Sequence, residues 1–166
     1  MILRLRQPRV DDEPEVLAAQ DELAADDVAF AFRQPDQTFA ELVQAIEDHR
    51  RGRNLAPGWV ESTWLLAEVD GAVVGRSSIR FELNDFLRTA GGHIGYAVRP
   101  AHRRRGYATE ILRQSLVVAR AGGVGRALVT CDGDNIGSAT VIEANGGVLE
   151  NIIDVNGVPL RRYWID

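Results

Sequence analysis

Ile2, Leu3 and Leu5 alternate with Arg4 and Arg6, a two-residue period that predicts a short strand ending before Pro8. The spacing then changes to that of a helix. Asp12 and Glu15 form a capping-box pattern, with Val16, Leu17, Gln20 and Leu23 on one stripe. A second box, Thr38 with Glu41, opens a helix that places Phe39, Leu42, Val43 and Ile46 on one face. The segment between the two helices, "DDVAFAFRQPD", has no period and reads either as a packed connector or as a substrate-lining loop.

After "NLAPG" the texture becomes β-rich. "STWLLAEVD", "GAVVGRSSIRFEL" and "GHIGYAV" predict three antiparallel strands, the first two joined by a hairpin at Asp70-Gly71. Tyr107, Ala108, Ile111, Leu112, Leu116 and Ala119 trace an amphipathic helix that ends at "AGGVG". "RALVTC" is a strand, and "NIGSATVIEANGG" a short helix capped by Asn135. "VLENIIDVNGVPLRRYWI" is a closing hairpin around Asn156-Gly157. The order is one strand, two helices, three strands, a helix, a strand, a helix and two strands, which fits one domain spanning 1–166.

Composition narrows the partners. The chain has 166 residues, 45% of them hydrophobic, and a net charge of −5, so a local basic cluster is better suited to a compact anion than to a nucleic acid backbone. One cysteine, Cys131, and three scattered histidines predict neither a disulfide nor a metal site. No apolar run reaches the length of a membrane span, and the N-terminus does not resemble a secretory signal, so a cytoplasmic protein with no membrane partner is expected.

The cluster in question is "YAVRPAHRRRGYATEILRQSL". A strand ending at Val98, Pro100 after it and a helix starting near Gly106 deliver several free backbone N–H groups to one place, where the helix dipole and Arg103 to Arg105 add positive charge. That is an anion site, and it is no Walker loop, because the Gly-Lys-Ser/Thr ending is missing. "GGVG" follows a helix rather than a strand and is read as a turn, and "DGDN" lacks a calcium loop's ligand pattern.

With this element order, Arg103-Arg104-Arg105-Gly106-Tyr107-Ala108 resembles motif A of the GNAT superfamily of N-acetyltransferases, Gln/Arg-x-x-Gly-x-Gly/Ala. "GGHIGYAVRP", "CDGDNIGS" and "RRYW" are similar to a bacterial subgroup of acetyltransferases. The resemblance spans nearly the whole chain. It implies the GNAT fold, an α/β architecture with a mixed, mostly antiparallel central sheet of about seven strands flanked by about four helices. It implies acetyl-CoA as co-substrate, direct transfer of the acetyl group to a primary amine, and no metal. By the same resemblance, Arg104, Arg105, Gly106, Tyr107, Ala108 and Thr109 hold the pyrophosphate, Arg103 takes the first signature position of the cofactor site, Tyr96 and Val98 pair with the pantetheine arm, and Asn135, matching a family asparagine that touches the pantetheine or caps its helix, lies with Ser138 on the cofactor side. A sensor that keeps the cofactor cleft without turnover is the alternative.

The catalytic groups are less constrained. An alkylammonium with a pKa near ~10.4 must lose a proton before it can attack. His93 is the first candidate base, with Glu82 and Glu68 on neighbouring strands as others. The tyrosine that many family members carry seven residues after the asparagine is here Ile142, which leaves Tyr96, Tyr163, Cys131 or water to assist the thiolate. Cys131, on an apolar strand, is expected to be inert. The acceptor pocket is expected from Phe30 to Asp36, Asn84 to Gly92 and the last hairpin, while the acceptor's identity and homodimerisation stay open.

Overall fold

The computed structural model describes residues 2–166. In chain order the elements are β1 (Leu3–Arg6), α1 (Glu13–Ala24), α2 (Phe39–Arg50), β2 (Ser62–Val69), β3 (Ala72–Arg80), β4 (Ile94–Val98), α3 (Tyr107–Ala121), β5 (Ala127–Asp132), α4 (Ile136–Ala144), β6 (Val148–Val155) and β7 (Val158–Ile165). All pairings between neighbouring strands are antiparallel. β1-β2-β3-β4 make one sheet and β5-β7-β6 a second.

Local chemistry accounts for most of these elements. Asp70-Gly71 and Asn156-Gly157 close the two tight hairpins, all four residues at positive φ. Thr38 accepts from the Glu41 N–H at 3.2 Å, and Glu41 accepts from the Thr38 N–H at 2.7 Å, so the box that opens α2 forms as expected. The start of α1 is different. Asp12 makes no cap bond there; it takes Arg6 through both oxygens, at 2.7 and 2.8 Å, and the Arg9 N–H at 2.7 Å. Arg6 thereby holds the carboxyl below its ordinary range. Glu15 reaches away from the cap and accepts from the Val73 N–H. The buried stripe of α1 is Val16, Ala19 and Leu23, with Leu17 exposed.

The two faces of the first sheet bury different layers. Leu65, Ile79 and Ile94 pack with Leu112 and Leu116 of α3, and Ser77 meets Ser115 at 2.7 Å across the same layer. Trp64, Leu66 and Ala97 face α1 and α2, where the Trp64 indole donates to the Phe30 carbonyl and the two rings meet edge to face. Arg76, Ser78 and Arg80 alternate with Ser77 and Ile79 and therefore share this second face with Trp64. Among the described residues no helix is long and apolar enough to cross a membrane.

Candidate active site

β4 is the central strand of the site, and its hydrogen-bond phase decides which groups are free. The Arg80 backbone N–H donates to the His93 carbonyl and the Arg99 backbone N–H to the Val74 carbonyl, so Gly95 and Ala97 exchange their backbone bonds with β3. The N–H and C=O groups of Ile94, Tyr96 and Val98 then point the other way, toward β5. No ladder joins β4 to β5 among the described residues. The register between β3 and β4 runs unbroken, without a bulge.

The two sheets are pinned at one end of this gap. The His93 N–H donates to the Leu128 carbonyl at 2.7 Å, and the Leu128 N–H donates back to His93 Nδ1 at 2.9 Å. Burial lowers the His93 pKa to about 4, so the ring is neutral near pH 7 with its hydrogen on Nε2. In this tautomer no nitrogen of the ring has a free lone pair for a proton. Further along, the Tyr96 hydroxyl spans the gap to Ser138 Oγ at 2.7 Å, and burial pushes that phenol up to about 12.

His93 sets a pH dependence of stability. The unfolded chain takes up the proton near pH 6.5 and the folded chain only near pH 4, so stability is full above about 6.5 and declines as pH falls toward 4. His93→Ala should cost about 1–3 kcal/mol by orphaning the buried Leu128 N–H. His93→Asn, whose amide oxygen accepts in place of Nδ1, should recover most of that loss and flatten the pH 4–6.5 slope. Urea titrations across this range check both expectations.

At the far end of β4 a tight turn, Pro100–His102, and an irregular link lead to α3. Arg104 has φ 60° and Gly106 φ 79°, left-handed positions that curl the backbone. None of the six consecutive N–H groups from Arg104 to Thr109 donates to an acceptor among the described residues; the first that does, Glu110, donates to the Gly106 carbonyl. A Cβ built on Gly106 would meet nothing within 4 Å, so the space over this nest is open. The set fits a diphosphate. Arg104 and Arg105 are exposed and unpaired among the described residues, whereas Arg103 is tied to Asp26 at 2.6 Å and to the Val98 carbonyl.

Several expected residues sit elsewhere or do something narrower. Glu82 lies beyond the end of β3, exposed and outside the cleft described below. Glu68 is held by Arg6 at 2.5 Å. Asn135 caps α4 by accepting from the Ser138 N–H at 3.0 Å. Ile142 is fully buried in the core, as is Tyr163, whose hydroxyl donates to Glu143. Cys131 is buried, and burial raises its thiol pKa, the setting of an inert thiol.

On the α1–α2 side of the first sheet lies a half-open cleft of about 780 Å³. Its walls include Phe32, His49, Trp59 and Phe86, and its floor includes Ser78 and Arg80 of β3, beside Gly95 of β4. The segments 30–36, 54–60 and 84–92 contribute lining residues to this cleft, and the last hairpin does not. Sequence reasoning did not single out His49, Trp59, Arg76 or Arg80. The signal available was a pair of arginines four apart on a strand that otherwise reads as buried.

Residues 3–148 match the family described as Acetyltransferase (GNAT) domain. No curated protein matches the chain by sequence. Among solved structures, an N-acetyltransferase from Staphylococcus aureus Mu50 is similar at TM-score 0.69 and 18% identity, over 100% of this chain and 99% of that one. The Microcin C7 self immunity acetyltransferase MccE, in complex with acetyl-CoA and AMP, gives 0.68 and 18%, over 98% and 91%. A chimera of the spermidine N-acetyltransferase SpeG from Vibrio cholerae with hSSAT gives 0.66 and 19%, over 98% and 94%.

Proposed function

Because the chain belongs to the GNAT acetyltransferase family and is an acyl-CoA-dependent acetyltransferase, we propose that it works as one cytoplasmic domain that passes the acetyl group of acetyl-CoA directly to a primary amine. The observation that carries this reading is the set of free backbone donors on β4 and at the start of α3. It comes in two runs, the Arg104–Thr109 nest and the alternate residues Ile94, Tyr96 and Val98 on the β5-facing edge of β4, with a separate cleft opening beside Gly95.

Acetyl-CoA, when bound, supplies the activated acetyl group that a neutral amine attacks. The N–H groups of Arg104 to Thr109, with Arg104 and Arg105, hold the diphosphate, and the groups of Tyr96 and Val98 that face β5 pair with the pantetheine arm. Arg103, bound to Asp26, shapes the turn rather than meeting the ligand. Asn135 and Ser138 close the site from α4. The free N–H groups of Ile94 and Tyr96 are the donors available to a developing oxyanion.

The acceptor enters from the α1–α2 cleft. His93 holds the two sheets in register, and His49 on the cleft wall, not Glu82, takes the ammonium proton directly or through water. Tyr96 faces the departing thiolate. With its pKa near 12 it keeps its proton and steadies the sulfur by a hydrogen bond instead of complete transfer.

Steady-state thiol release with both substrates varied tests this scheme. Intersecting lines are expected, since Cys131 is buried and the amine attacks directly; parallel lines, the mark of an acyl-enzyme, would contradict it. Tyr96→Phe should lower kcat by about 10- to 100-fold with little change in acetyl-CoA affinity. An unchanged kcat where chemistry is rate-limiting would remove Tyr96 from the mechanism.

A further inference from the structure

Two arginines behind the cleft have no carboxylate partner among the described residues. Of the other partly buried arginines, Arg6 pairs with Asp12 and Glu68, Arg99 with Glu15 and Glu22, and Arg162 with Glu150, while Arg161, away from the cleft, donates to the Gly133 carbonyl. Arg76 and Arg80 have no ion pair among the described residues. Arg76 is only 6% exposed; one nitrogen donates to the Ala29 carbonyl at 2.6 Å, and its Nε is buried with no partner. The Arg80 side chain donates, among the described residues, only to neutral oxygens, those of Gly91, Gly92 and Ser78. Taking a charge out of water without a counter-charge is unfavourable, and burial lowers both guanidinium pKa values to about 10.

The two side chains also converge. Four residues apart on β3, they lie on one face, and the Nη1 atoms of Arg80 and Arg76 lie 3.6 and 3.7 Å from the point where a Cβ on Gly95 would stand. Only a glycine at 95 leaves that space open. The Arg76 guanidinium faces the ring of Phe32 at 5.4 Å, and Phe32, Ser78 and Arg80 line the cleft. No Asp or Glu is among the lining residues, whose apolar part includes Trp59, Trp64 and Phe86.

We infer that the acceptor is an amine bearing an anionic group, a carboxylate in the first instance, which Arg76 and Arg80 receive over Gly95 while the apolar walls take the rest of the molecule. This rests on the reading that the cleft is the acceptor side of an acetyltransferase. Paired guanidinium donors match a carboxylate's two oxygens, and the anion supplies the counter-charge that the protein itself withholds. A polyamine finds the opposite field, two cations and no acid.

The test uses pairs of amines that differ only in the charge: leucine against leucinamide and phenylalanine against phenylalaninamide, with spermidine as a polycation, all with acetyl-CoA and thiol detection. The amides lose their ammonium proton more readily, so intrinsic reactivity favours them, and a preference for the acids must come from the site. The expected result is a kcat/KM about tenfold or more higher for the acid of at least one pair, with spermidine unused. Arg76→Gln should raise KM for that acid about tenfold, change KM for its amide less than threefold and leave CoA binding intact. Equal use of both members, or preference for the amides or spermidine, overturns the anion assignment and leaves acetyl transfer standing. No thiol release with any amine counts instead against the acceptor cleft on which the inference rests.

Discussion

Gly106→Val should weaken acetyl-CoA binding by about a hundredfold or more, read by calorimetry, in a protein that still folds. Gly106 has φ 79° and ends the link from β4 into α3, so valine there pays the left-handed penalty of about 1–2 kcal/mol. That cost falls on a solvent-facing turn, since nothing lies within 4 Å of the new Cβ. The functional cost is larger. The same open space lies over the N–H groups of Arg104 to Thr109, and a branched side chain in it keeps a diphosphate from reaching them. Each hydrogen bond to a charged group is worth about 1.5–3 kcal/mol, so two lost bonds give the expected factor. Native affinity in this variant would move the diphosphate away from the nest.

Gly92→Ala should act on the fold. Gly92 has φ 65° and ψ −171°, a combination open in practice only to glycine. An added Cβ would stand 2.5 Å from the Leu128 carbonyl oxygen and 3.1 Å from its carbon. Both are backbone atoms of β5, and the same carbonyl accepts from the His93 N–H, so the neighbour cannot yield without breaking the pin between the sheets. A loss of about 3–5 kcal/mol is expected in urea unfolding. Stability within about 1 kcal/mol of the parent would show that this junction tolerates movement and is not what holds the two sheets together.

The features that could be read from the sequence are those fixed by neighbours in the chain. The turns at Asp70-Gly71 and Asn156-Gly157, the box of Thr38 and Glu41 and the amphipathic run after Gly106 each depend on residues a few positions apart. The nest is legible for the same reason, because a strand end, a proline and a glycine at a helix start determine where free N–H groups fall.

What the sequence concealed was decided by partners far along the chain. Asp12 left the capping role because Arg6, across a turn, offers a stronger bond than a helix N–H. His93 looks like a base in isolation, and its bonding follows from Leu128, 35 residues later. Arg76 and Arg80 read as polar positions of an alternating strand; only the missing carboxylates around them make them informative. Glu82 looked like a strand carboxylate until β3 ended at Arg80. The cleft itself gathers pieces of two irregular segments, 31–37 and 54–60, and a short helical turn at 86–87, which share no period that could announce a common wall.

One titration tests the placement of the cofactor most directly. Acetyl-CoA added to the isotope-labelled protein should shift, above all other backbone amides, those of Arg104 to Thr109 together with Ile94, Tyr96 and Val98, while Gly95 and Ala97, bonded to β3, move less. Shifts confined to the α1–α2 cleft, with the Arg104–Thr109 amides unmoved, would contradict it.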